Sequence, residues 1–324
     1  MGTWVAAACR NAMLALGAAA LVPGCSSIGD GSCDDCAASD GAPGGGDGGS
    51  GGGADAAVPL GPFSEPGLIA ALSDPAALDA DPTMPDDARE LYFVSTRTGS
   101  AGVDIWVSRR DSVNDDWGAP DPVPELNSAD ADQDPEISAD GLTLYLTSNR
   151  AVAGAKGGFD LFISRRDSRD DDWSPPQLVP ELNSADSDMA AVTNAAGTAM
   201  VFHRSIAGAL DLYVSERESP DDDWDMPIRL TGIDTDESQE ADPWLSADGR
   251  TLYFNSNRTG GSGDSDIYRT TRLSTTTVLF AVPDELTEVN TEFHEANVAL
   301  AQGTRYLVMS SARSGDHELW EASR

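Results

Sequence analysis

The chain is 324 residues long, 40% hydrophobic, and carries 55 acidic against 20 basic residues, a formal charge of −35. That length and apolar content suffice for one large core or two ordinary ones. So acidic a surface repels phosphate backbones and anionic headgroups, which argues against nucleic acid and against electrostatic docking on a bilayer. It favours cationic partners or metal ions.

Residues 1–24 read as an export signal, in which Arg10 precedes an apolar run over residues 11–22. The run is too short to span a bilayer as a helix and suits a signal-peptide core. Val22-Pro23-Gly24-Cys25 resembles a bacterial lipobox, with Gly24 in the small position before the cysteine. The resemblance implies that Cys25 is lipidated, so that the membrane is reached through a lipid anchor. Ser26 behind it implies sorting to the outer membrane, facing the periplasm. An ordinary cleaved signal with an incidental cysteine is the alternative. Residues 25–58 are mostly Gly, Asp, Ala and Ser. They hold too little apolar surface to offset their conformational entropy, and are expected to form a flexible tether. Cys33 and Cys36 fall inside this tether, where an oxidising compartment favours a small disulfide over a redox site. No cysteine follows, which removes thiol chemistry from residues 59–324.

Those remaining residues are periodic. One phrase restarts at Asp79 (DADPTM), Asp132 (DQDPEIS), Asp186 (DSDMAAV), Glu240 (EADPWLS) and Glu295 (EANVALA), in steps of 53 to 55 residues. Each start leads to a short apolar strand, for example Leu91-Tyr92-Phe93-Val94, and then to a polar, Gly-rich loop. A strand led by an acid follows, at Asp104, Asp160, Asp211, Asp266 and Glu318. A last strand is expected to open on an aromatic, at Trp117, Trp173, Trp224 and Phe280. Short β-branched and aromatic runs between Gly, Asn and Asp turns are strand signals, and four antiparallel strands per repeat make a propeller blade. The fifth copy stops at Arg324 without its fourth strand, and residues 61–72 (GPFSEPGLIAAL) match residues 174–182 (SPPQLVPEL). The expected fold is therefore all-β: a five-bladed β-propeller of four-stranded antiparallel blades over residues 59–324. The N-terminal strand completes the last blade and removes open edges.

The phrases SADG, LYF, SNR and DIY resemble the TolB/WD40-like propeller repeat of bacterial envelope proteins over nearly all of residues 59–324. Repeats two and four carry it best (SADGLTLYLTSNR and SADGRTLYFNSNR), whereas repeats three and five depart at Asn194-Ala195-Ala196-Gly197 and Ala301-Gln302-Gly303. The resemblance implies a binding or scaffolding propeller, a monomer with another envelope protein as partner; a glycan is the second partner class.

Several residues have structural readings. Asp140-Gly141 and Asp248-Gly249 suit turns that demand positive φ. The acidic runs before Trp117, Trp173 and Trp224 read as solvated loops entering a packed aromatic. Arg97, Arg150 and Arg258 are expected to pair with Asp104, Asp160 and Asp266. A more suggestive pattern precedes the first strand of each repeat, where two polar residues stand one position apart. They are Asp79 and Asp81, Asp132 and Asp134, Asp186 and Asp188, Glu240 and Asp242, and Glu295 and Asn297. The innermost strands of a propeller line its channel, so five repeats would set these side chains around one acidic mouth beside the loops at 98–103, 151–159 and 259–265. Crowded carboxylates raise one another's pKa unless a cation intervenes, and hard oxygen donors suit Ca²⁺. Capping of backbone N–H groups is the other reading, and it needs no cofactor. A carbohydrate-active hydrolase or lyase using mouth carboxylates is the enzymatic alternative. It is disfavoured because the acids recur with the repeat and no unique pair stands out. Of three histidines, His203, His294 and His317, His294 beside Glu295 is the best placed for function.

Overall fold

The second strand of every repeat is an unbroken apolar run, and such a run demands burial on both faces. Leu91, Tyr92, Phe93 and Val94 are each at most 1% exposed. In the computed structural model, which describes residues 60–233, 235, 237–274 and 278–324, each sheet obtains that burial by standing between two others. The expected signal peptide, the tether and Cys25 lie outside the described residues.

Five four-stranded antiparallel sheets make up the described chain. The first holds β2 (Asp79–Thr83), β3 (Glu90–Ser95), β4 (Asp104–Arg109) and β5 (Asp121–Pro122); the second β6 (Asp132–Ile137), β7 (Thr143–Ser148), β8 (Asp160–Arg165) and β9 (Gln177–Leu178). The third holds β10 (Ser187–Thr193), β11 (Ala199–Ile206), β12 (Ala209–Glu216) and β13 (Ile228–Arg229). The fourth holds β14 (Glu240–Leu245), β15 (Thr251–Ser256), β16 (Asp266–Thr271) and β17 (Asp284–Glu285). The fifth combines β18 (Glu295–Ala301), β19 (Tyr306–Ser311) and β20 (Glu318–Ser323) with β1 (Gly67–Leu68) from the other end of the chain. Each first strand touches the next, and β18 touches β2, so the sheets form a closed five-bladed propeller. Closure uses the expected segment: Gly67 lies opposite Glu321 and Leu68 opposite Trp320, and the Ser64 N–H donates to the Ser323 carbonyl at 2.8 Å. Gly141 and Gly249 have φ of 76° and 68°, as their turns require.

The aromatics do not open the fourth strands. Those strands are two residues long, and Trp117, Trp173, Trp224 and Phe280 each stand four residues ahead of them. The indoles instead lock neighbouring blades: Trp117 Nε1 donates to the Tyr306 hydroxyl and Trp173 Nε1 to the Tyr92 hydroxyl, both at 3.3 Å. An arginine directly after the third strand lies on each ring: Arg110 over Trp117 at 3.9 Å, Arg166 over Trp173 at 4.5 Å, and Arg217 over Trp224 at 4.0 Å. Arg324 over Phe63 at 4.1 Å repeats the contact between the two chain ends. The Nε of each of these arginines donates to a carbonyl of its blade's first turn, at 2.7 to 2.8 Å. A position read from sequence as a strand start is a rivet between blades, because a large ring with a cation on its face is most stable where it is desolvated on both sides.

Candidate functional site

Nine of the ten polar residues proposed for one mouth divide into two rings, and Asp186 belongs to neither. The first acid of each strand pair is not at the opening. Asp79, Asp132, Asp188, Glu240 and Glu295 are all 0% exposed. Each meets an arginine at the far end of the second strand, just past it in four blades and inside β11 in the third: Arg97 with Asp79 at 2.6 Å, Arg150 with Asp132, Arg204 with Asp188 at 2.6 Å, Arg258 with Glu240 at 3.2 Å, and Arg313 with Glu295 at 3.3 Å. The expected pairing of Arg97, Arg150 and Arg258 with Asp104, Asp160 and Asp266 is thus replaced by pairing with the first strand. The same guanidinium groups donate to the carbonyls of Leu72, Leu126, Leu182, Ile233 and Val289, closing the turn that enters each blade. The second oxygen of each of these acids accepts a loop N–H, from Asp74, Ser128, Ser184, Thr235 and Thr291. These five acids are saturated and structural.

Asp104, Asp160 and Asp266 take a different role. They cap their own Gly-rich loops, accepting from the backbone N–H of Ala101, Lys156 and Gly263 respectively.

The second ring is built by a β-bulge in every innermost strand. The register slips between Ala80 and Thr83, Gln133 and Glu136, Met189 and Val192, Ala241 and Trp244, and Ala296 and Ala299. The residue inside each bulge has positive φ: Asp81 (51°), Asp134 (47°), Ala190 (52°), Asp242 (48°) and Asn297 (51°). Asp and Asn tolerate this left-handed conformation, and bulges re-aim side chains, here into the channel. The third repeat is displaced by two residues from the expected alignment. Asp188 holds the first-acid position, Ala190 replaces the second, and Asp186 falls before the strand. The methyl of Ala190 leaves a gap in the ring. The departure of Met189-Ala190-Ala191 from the Asp-Pro pair of repeats one, two and four was the available signal.

Asp81, Asp134, Asp242, Asn297 and Ala190 line a narrow cavity of about 10 Å³ together with Glu136, which sequence reasoning missed. No lining residue is basic. Burial, then the neighbouring Asp134 and Asp242, hold the Asp81 carboxyl well above its usual range. Burial and Asp134 push Asp242 up to about 8. Glu136 is raised as well, by burial, against the Thr83 hydroxyl that donates to its Oε2 at 3.1 Å. Asp242 also meets His203, whose Nδ1 accepts the Asp242 N–H at 3.2 Å. Burial lowers the His203 pKa to about 4, so the ring is neutral and its acceptor role is consistent. With its amide turned to suit its neighbours, Asn255 donates to Asp242 Oδ2 at 2.8 Å. Lumen carboxylates that keep their protons can share hydrogen bonds instead of repelling. The space is about that of a single water molecule and cannot take a sugar ring. Among the described residues, no three acidic or histidine side chains are arranged to hold a metal ion.

His294 and His317 lie elsewhere, on the loop face of the fifth blade, with ring centroids 5.1 Å apart in an edge-to-face contact. Burial lowers both pKa values, and for His317, to about 4, the His294 ring contributes.

No protein-family model matches the chain, and no curated protein matches it. Solved structures do. An α-L-arabinofuranosidase from Podospora anserina, solved with cellotriose, is 12% identical with a TM-score of 0.55, over 81% of this chain and 96% of that one. An endo-arabinase from Bacteroides thetaiotaomicron is 15% identical with a TM-score of 0.51, over 81% and 97%. A TolB from Agrobacterium tumefaciens is 17% identical with a TM-score of 0.46, over 78% and 79%. At such identities the likeness is one of fold, and the chain is a five-bladed β-propeller.

Proposed function

We propose that this propeller is a non-catalytic binding or scaffolding module of the bacterial cell envelope, held by a lipid on Cys25 and docking a partner on its loop face. One observation carries the reading: the recurrent acids are either locked in buried arginine pairs or crowded into a lumen too small for a sugar. What remains for recognition is the face of loops around the mouth, where Glu125, Asp130 and Glu181 are exposed between blades. A chain of charge −35 selects a cationic protein surface over a neutral or acidic glycan. The resemblance to TolB-like repeats points to the same partner class. The test is capture of an envelope protein by the immobilised chain, lost at high salt and in a Glu125→Lys/Glu181→Lys variant. Capture indifferent to both changes would sink the proposal.

A carbohydrate hydrolase is the second reading. It is favoured by the convergence of Asp81, Asp134, Glu136 and Asp242 on one lumen, with burial raising Asp81, Glu136 and Asp242, since acid–base cleavage uses a pair of carboxyl groups. Release of reducing sugar from arabinan, abolished by Asp242→Asn, would establish it over the binding role.

A further inference from the structure

The repeat makes one contact in the fifth blade that no other blade can make. The residue before the first-strand acid and the residue before the third-strand acid flank the end of the second strand. In the first blade they are Leu78 and Val103, which pack against one apolar core. In the following blades they are Ala131 and Phe159, Ser187 and Leu210, and Gln239 and Ser265. In the fifth they are His294 and His317, the only blade with two metal-ligating side chains there.

Backbone geometry fixes both histidines. His294 pairs with Ser265 of the fourth blade in a parallel bridge, and its carbonyl accepts the Ala312 N–H at 3.0 Å. The His317 carbonyl accepts the Asp79 N–H of the first blade at 3.1 Å. Both rings are part-exposed, and neither is hydrogen-bonded to another described residue. Asp264 and Asp316 lie near enough to act on them electrostatically.

From this juxtaposition we propose that His294 and His317 form a site for a borderline divalent transition metal such as Ni²⁺, Cu²⁺ or Zn²⁺. Two imidazoles supply the nitrogen ligands, and water supplies the rest. Imidazole selects such ions over Ca²⁺ and Mg²⁺, which take oxygen. The rings are neutral at pH 7, the ligating form, and the surrounding negative charge raises local cation concentration. The site is distinct from the lumen, where His203 is engaged with Asp242.

The test uses the full chain with its cysteines alkylated and excess Ca²⁺ present, so that thiols and surface carboxylates do not compete. Titration with Ni²⁺ alone, followed by calorimetry, is expected to give one equivalent bound. His294→Asn and His317→Asn should each weaken binding at least tenfold, and His203→Asn should leave it unchanged. Circular dichroism melts identify any variant that fails to fold, in which case the Cu²⁺ spectrum of the unaltered chain decides. Nitrogen hyperfine structure from two equivalent imidazoles supports the site. Oxygen-only coordination, no saturable binding, or binding indifferent to either histidine overturns it.

Discussion

Two rings of polar residues stand two positions apart on the same five strands, and the fold treats them in opposite ways. The outer ring is paired: each carboxylate is fully buried and meets an arginine and a serine hydroxyl or a loop N–H. The inner ring meets no arginine: burial holds Asp81 well above its usual range and, with Asp134, takes Asp242 to about 8. Two acids in one strand, Glu240 and Asp242, therefore meet opposite surroundings, because a bulge turns one into the lumen while the other faces its own blade. Identical spacing in sequence conceals different chemistry.

Breaking the outer ring should have the largest effect. Arg150→Ala leaves Asp132 buried and unpaired, and a loss of about 3–5 kcal/mol is expected in chemical denaturation at pH 7. A loss under about 1 kcal/mol would mean that the serine and loop donors suffice alone. Asp134→Asn, two residues along the same strand, should cost far less, since Asn is already tolerated at the equivalent Asn297.

The pH dependence sharpens the contrast. The pKa of Asp242 is raised to about 8 from an unfolded value of 3.8, so the fold binds a proton that the unfolded chain releases. Its contribution is complete below pH 3.8 and is lost as pH rises through 8, by about 1.4 kcal/mol per unit in the steep region. His203, lowered to about 4 from 6.5, acts with the opposite sign, and stability is lost as pH falls from 6.5 through 4. Between these limits the two slopes oppose, and above pH 6.5 the carboxylates act alone. The melting temperature should therefore fall between pH 6.5 and 8. Asp242→Asn should flatten that fall and raise the melting temperature at pH 8, and a variant curve parallel to the parent would show that the lumen acids are already ionised.

The smallest expected effect concerns closure. Arg324→Ala removes the cation from Phe63 and the hydrogen bonds to Thr304, and about 1 kcal/mol should be lost. Arg324→Lys should restore little, because a point charge reproduces neither the stacking nor the forked donor.

Legibility followed the physics of each signal. The period, the strand chemistry and the orphaned match between residues 61–72 and 174–182 were local patterns, and they led to the correct ring and its closure. The Asp-Gly turns were legible for the same reason, as were the acidic runs that enter Trp117, Trp173 and Trp224. The partner of Arg150 was not: Asp132 and Asp160 both lie within a few strand lengths, and only the register of β6 on β7 brings the first within reach. Glu136 was invisible because its neighbours in the lumen come from other blades, and the displaced third repeat hid behind an alternative Asp-x-Asp at residues 186–188.

The sequence alone determined what repeats: how many sheets, which runs form strands, and that the two ends must meet. These depend on apolar periodicity and turn propensity, which act over a few residues. Tertiary structure decided which carboxylates pair with an arginine, which are buried and which face the lumen. Those properties depend on a bulge angle and on dielectric surroundings assembled from five separate stretches of chain, and no single stretch contains them.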